Sequence, residues 1–237
     1  LGPGSDMQSR DTRLRLARAL MGTGNADPAV AMLRSMEPGQ GDEEFFRRQF
    51  LAVASLRAGD NEAALEEAEA LVADYPENAG AHNLLGGIHL AADRFEAARE
   101  AFEQARDRNP DDPQPRFNLG LVAAASGDLE QAATHFERGL ERDPENIGAV
   151  LRLAAIQRRA GNIEAAIEWT QRAVEAAPES ARARVALARL QVAHGDTNAA
   201  LEATARGVGP MEHDEQTERE HERRDHADRG HDNRALD

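Results

Sequence analysis

The chain has 237 residues, 41% of them hydrophobic but only 4% aromatic, a balance that suits many small-residue helix contacts better than one large core. It contains no cysteine, which excludes disulfides, thiol catalysis and thiolate metal sites. A net charge of −15, with 28 arginines and no lysine, argues against general affinity for a nucleic-acid backbone. The arginine bias reads first as a high-GC coding preference. No run of 18 apolar residues occurs, so no membrane-spanning helix is predicted. The opening Leu-Gly-Pro-Gly-Ser reads as the remnant of a cleaved tag, so residues 1–9 are set apart as a leader. A native signal or anchor could have stood before it, and the compartment stays open between bacterial cytoplasm and periplasm.

Taken in chain order, the same pattern recurs every 34 residues. A divergent first unit, 10–44, carries Gly24 and Ala29, with Gly41 near where a proline is expected and about one extra residue. The second, 45–78, has Leu51, Ala52, Gly59, Ala64 and Pro76 at positions 7, 8, 15, 20 and 32. In the third, 79–112, the same positions hold Leu85, Gly86, Asp93, Ala98 and Pro110, with Phe102 at position 24. The fourth, 113–146, holds Leu119, Gly120, Gly127, Ala132 and Pro144, with Phe136 at position 24. The fifth, 147–180, holds Leu153, Ala154, Gly161, Ala166 and Pro178, and a partial sixth, 181–210, holds Leu187, Ala188, Gly195 and Ala200. Each unit predicts two helices. The glycine ends the first, where a left-handed backbone is needed, and the polar residue after it starts the second. Small residues at positions 8 and 20 allow the pair to approach closely, phenylalanine at position 24 fills the wedge between hairpins, and proline stops the second helix. The remainder, 211–237, has ten acids, five arginines and four histidines and almost nothing apolar. It reads as a solvated tail, with a charged capping helix as the competing reading.

This set of residue types, held in phase over roughly residues 10–210, resembles the tetratricopeptide-repeat family. The resemblance implies an all-α, right-handed superhelix (an α-solenoid) of about six helical hairpins, with the first helix of each hairpin lining the concave face. There are departures. Position 4 is His82 or Arg116 rather than a large aromatic, and position 24 is Ala68, Thr170 and Thr204 in three units. The interior units, 79–146, are expected to pack best.

No catalytic constellation stands out: there is no nucleophile elbow and no phosphate loop, so neither an enzyme nor a cofactor is expected. Gly86 is the small residue of position 8, whereas Gly87 faces the groove, where it either opens room for a ligand or weakens its helix. His82 and His89 share a helix face and read as packing residues. The tail histidines His213, His221, His226 and His231 read as solvated, with a weak metal site as the alternative. The informative feature is charge. First-helix positions of the six units carry 14 arginines and one acid, Asp11, whereas second-helix positions and their turns carry 9 arginines and 31 acids.

Two readings of that asymmetry stay open. The arginines pair with acids of neighbouring second helices, or they form a basic groove for an acidic protein segment, since the guanidinium fork matches carboxylate. The groove candidates are Arg152, Arg158, Arg159, Arg182 and Arg189, with Asn83 and Asn118. The carboxylate clamp of the family's chaperone-binding members would fall on Asn83, Gly87, Asn118, Gly148 and Arg152. Only Asn118 and Arg152 fit, so that clamp is not expected. The stretch 144–196 also resembles, more weakly, the repeat region of bacterial exopolysaccharide and PEP-CTERM-associated lipoproteins. The expected function is therefore a non-catalytic scaffold for an acidic protein or peptide partner, without nucleic acid or membrane insertion. A structural role in an envelope or polysaccharide-export assembly is the alternative, and a region accessory to a separate catalytic domain is a third. The oligomeric state stays open.

Overall fold

The structure, a computed structural model, describes residues 3–205, with side chains from Arg10 to Thr204. The tail and its four histidines therefore lie outside the described residues. Among the described residues there are twelve helices and no strand: α1 (Pro3–Gly22), α2 (Ala26–Ser35), α3 (Asp42–Arg57), α4 (Asn61–Asp74), α5 (Ala79–Ala91), α6 (Phe95–Arg108), α7 (Gln114–Ala125), α8 (Leu129–Leu140), α9 (Ile147–Arg159), α10 (Ile163–Ala176), α11 (Ala181–His194) and α12 (Thr197–Ala205). They divide into two compact units, residues 1–166 and 167–237, and α10 runs through the division.

The local signals act as the sequence implies. Gly24, Gly59, Gly127, Gly161 and Gly195 all adopt positive φ between helices, and Asp93, the one non-glycine at that position, does so too at φ 54°. Side chains of Asp60, Asp128 and Asp196 then accept the amide three residues on, at 2.9–3.1 Å, and start the following helix. The turn motifs after Pro76, Pro144 and Pro178 do more than turn. Their last residues, Asn78, Asn146 and Ser180, cap α5, α9 and α11 by accepting from Ala81, Ala149 and Ala183.

In the first unit α1 packs on α2, α3 on α4, α5 on α6 and α7 on α8. Each even helix also packs on the odd helix that follows, from α2 on α3 to α8 on α9, while α1, α3, α5 and α7 touch in succession. The odd helices from α1 to α7 thus make one continuous layer, and each even helix lies against the odd helices before and after it. Between them Ala64, Ala98 and Ala132 are fully buried. A Cβ on Gly86 would stand 2.6 Å from the Phe102 ring, and one on Gly120 2.6 Å from the Phe136 ring. Glycine at position 8 is what lets the phenylalanines sit flat against the neighbouring helix backbone. A further close approach carries no signal in the repeat pattern: Phe117 packs its ring over Gly139 and stacks on Phe136 at 5.8 Å.

The departures at position 4 have a physical reason. His82 Nε2 lies 2.8 Å from the Pro76 carbonyl, and Arg116 donates to the Pro110 carbonyl at 2.6 Å, so each ties its helix to the preceding proline turn. The irregular turn before α3 is held by polar contacts instead. Arg10 donates to the carbonyls of Glu37 and Pro38, Glu44 accepts from the Gly39 amide, and Arg47 pairs with Glu44 while donating to the Leu33 carbonyl. The Arg47 hydrogen bond is the main reason the Glu44 carboxyl titrates below its usual 4.5. In the second unit α11 pairs with α12, and Ala183, Leu187, Leu190, Ala200 and Ala203 are buried.

Candidate functional site

The odd-helix layer of the first unit carries an amide row. Asn118 on α7 donates from Nδ2 to Asn83 Oδ1 on α5 at 2.9 Å, and Gln114 donates from Nε2 to Asn118 Oδ1 at 3.1 Å. Helical spacing accounts for the second bond, because residues four apart share a face. The first joins corresponding faces of neighbouring odd helices. Beside this row opens a cleft of about 170 Å³, bounded by Gln114, Asn118 and Leu121 on α7 and by Gly148 and Arg152 on α9. Gly87, one turn beyond Asn83, faces open space: a Cβ built there meets nothing within 4 Å. Of the groove residues singled out in the sequence, the structure therefore gathers Asn83, Asn118 and Arg152. Gln114 and Leu121 join them without having been foreseen.

The arginines divide by use. Near the N-terminus the arginines are paired, but not with a neighbouring second helix: Arg15 meets Asp11 and Arg47 meets Glu44 within one helix, Arg10 on α1 meets Glu43 on α3, and Arg48 meets Glu67 and Asp74 of its own hairpin. Arg152 and Arg158 are exposed and, among the described residues, have no ion pair or hydrogen-bond partner. Arg159 is different. Its Nη1 donates to the Ala124 carbonyl at 3.1 Å, where α7 ends, so part of its donor capacity serves the fold rather than a ligand. Arg57 does the same for α1, donating to the Met21 carbonyl at 2.7 Å. Both occupy position 13 of the repeat, a regularity visible in the sequence only once the contact is known. Arg182 and Arg189 lie on α11 in the second unit, exposed and without an acid partner among the described residues. Phe117, which in the next unit stands at the repeat position of Asn83, is instead buried, because Gly139 makes room for its ring.

The histidines stand apart from this site. His82 is buried and tied to the Pro76 carbonyl. His89 Nδ1 is buried without a partner, and burial, helped by the nearby Arg94, lowers its pKa below 6.5. Among the described residues no group of three metal-ligating side chains comes together, and no helix is long and apolar enough to cross a membrane.

Two family models, both described as tetratricopeptide repeat, match residues 51–113 and 123–179. The chain is a tetratricopeptide-repeat protein. Solved repeat proteins share its fold. A thermophilic TPR protein of Thermus thermophilus aligns with a TM-score of 0.65 at 23% identity, over 77% of this chain and 99% of that one. PilW, a widely conserved type IV pilus biogenesis factor, gives 0.67 at 19% identity over 88% and 96%. Pseudomonas aeruginosa pilF gives 0.65 at 22% identity over 83% and 89%. At these identities the likeness concerns the all-α repeat fold alone. No curated protein matches the chain significantly.

Proposed function

We propose that this tetratricopeptide-repeat protein is a scaffold that captures an acidic protein segment on its odd-helix layer, with the α7/α9 cleft as an anchoring point. The observation that carries the reading is Arg152: an exposed guanidinium with no protein partner among the described residues, beside the amides of Asn118 and Gln114. A carboxylate can take two parallel hydrogen bonds from such a fork. Side-chain amides both donate and accept, which matches the alternating N–H and C=O groups of an extended peptide. Arg158 adds positive charge further along α9. Arg182 and Arg189 give the second unit an anion-attracting face of its own.

The test is the binding of a short, labelled Glu/Ser peptide to the whole chain over a salt series. Binding should weaken as salt rises, because exposed charges are screened over about 8 Å at physiological ionic strength. Arg152→Glu should weaken it several-fold, whereas Arg138→Glu, on exposed α8 outside the cleft, should leave it unchanged. Equal effects from the two reversals would overturn the reading.

A further inference from the structure

A second cleft, at the other end of the first unit, has a chemistry that the sequence pattern did not single out. Its volume is about 430 Å³, and it lies between α1 and α3. Arg18, Met21 and Gly22 form one wall, and Gln49, Phe50, Val53 and Arg57 the other. Met21, Phe50 and Val53 supply apolar surface, Gln49 one amide, each wall carries a guanidinium, and no acidic side chain lines it. Arg18 is exposed and has no partner among the described residues. Arg57 is held in place by its bond to the Met21 carbonyl, which leaves its remaining N–H groups directed by a fixed side chain. A guanidinium already pinned loses less freedom when it meets a carboxylate. Phe46, one turn before Phe50 on α3, is 48% exposed and continues the apolar stripe out of the cleft.

We infer that this α1/α3 cleft is a docking site for a bulky apolar side chain of a protein partner, flanked in that partner by carboxylates that engage Arg18 and Arg57. The inference rests on the reading that the odd-helix layer takes a protein segment, and it adds the partner's character: acidic, with a hydrophobic anchor. Charge complementarity selects the occupant. A basic or uncharged segment would leave two guanidiniums without partners, and a purely acidic one would leave the Phe50–Val53 floor facing water. The sequence did not disclose the site because its walls come from two helices about a repeat apart. The residues on the floor also read individually as ordinary core.

Gly22 provides the means to test it. A Cβ there meets nothing within 4 Å, and the residue lines the cleft from the last turn of α1, so Gly22→Leu adds an apolar side chain at the cleft wall with room for its Cβ. The probe is a fluorescein-labelled Glu/Ser peptide with a central Leu-Phe pair, compared with one in which Gln replaces Glu and one in which Ser replaces Leu-Phe, all on the whole chain. The acidic apolar peptide should bind best. Gly22→Leu should weaken it by about tenfold or more, the loss expected when an apolar side chain is denied its pocket. Arg18→Ala should weaken it less, and an unchanged melting temperature should show that both variants are folded. Failure of the probe to bind, equal binding of the Gln peptide, or indifference to Gly22→Leu would each overturn the inference. Loss on Arg152→Glu with indifference to Gly22→Leu would leave the capture reading standing and remove only this cleft. Indifference to both would remove the two together.

Discussion

Helices α3 and α4 solve the same packing problem as α5 to α8, but with different residues. In the α3/α4 hairpin, positions 8 and 24 hold Ala52 and Ala68, both fully buried in one cluster with Ala64 and Ile88. In the next two hairpins they hold Gly86 with Phe102 and Gly120 with Phe136, again fully buried at the aromatic. Two methyl side chains stand in one hairpin where the next two hold a glycine and a ring. The space that the ring fills there is taken in α3/α4 by neighbouring side chains such as Leu56, Leu65 and Ile88, so close packing is reached with different residues. The aromatic solution buries more apolar surface but leaves no tolerance at the glycine.

The largest break in this comparison should come from the aromatic side. Phe136→Ala should cost about 3–5 kcal/mol by chemical denaturation, because the fully buried ring packs on Gly120 and Phe117 and its loss leaves a cavity between them. Ala68→Gly, at the corresponding place in α4, should cost far less. Next comes the glycine. Gly86→Ala should destabilise by about 1–3 kcal/mol less the helix-propensity gain of about 1, since the Phe102 ring must move. In a Phe102→Ala background the same change should be neutral or favourable, because the pair then becomes that of α3/α4. Additive effects would show that the two positions do not share one volume. Ala132→Leu should cost about 1–3 kcal/mol by overpacking the α7/α8 contact, and an unchanged melt would contradict the register.

A smaller effect separates the turns. Asp93 takes at φ 54° the place that glycine holds in the other hairpins, so Asp93→Gly should stabilise by about 0.5–1 kcal/mol, while Gly127→Ala should destabilise by a similar amount. The smallest concerns pH. His89 on α5 and His135 on α8 both titrate below 6.5, chiefly through burial and then through neighbouring arginines. As pH falls below 6.5 the unfolded chain takes up protons that the folded one resists, so stability should decline there until the folded values are passed. Replacing both with leucine should flatten that decline in denaturation midpoints compared between about pH 7 and pH 5. Glu44, in the first turn of α3, works lower. Its depressed carboxyl contributes stability above 4.5 that is lost as pH falls through the folded value. An unaltered acid profile in the histidine double variant would remove the distinction between the two regions.

Most of the fold was legible because its signals are local. Gly59, Gly127 and Gly161 announce a left-handed turn, Asp60 and Asp128 a cap, and Ala98 and Ala132 a close approach, each without reference to distant residues. The site was legible only in part. Asn118 and Arg152 could be placed on the groove face from register, but the Asn118–Asn83 bond spans 35 residues and depends on how adjacent odd helices are superposed. The charge count treated all first-helix arginines alike. Two turns apart on α9 their fates differ: Arg152 has no partner among the described residues, whereas Arg159 reaches back to a carbonyl. Phe117 was hidden for a similar reason, since only the missing side chain of Gly139, on another helix, decides that its ring turns inward.

Those reach-back bonds also have a mechanical meaning. Arg57 to Met21, Asn118 to Asn83 and Arg159 to Ala124 each lace one odd helix of the first unit to the odd helix before it: α3 to α1, α7 to α5, α9 to α7. No such stitch joins α5 to α3 among the described residues. Under tension the laced steps should resist and the unlaced one should yield first, so the layer behaves as a spring with a built-in soft coil. Pulling on the two ends of residues 10–160 in a force spectrometer should show that first extension at the α3/α5 step, and removing the Asn118 amide with Asn118→Ala should create a second.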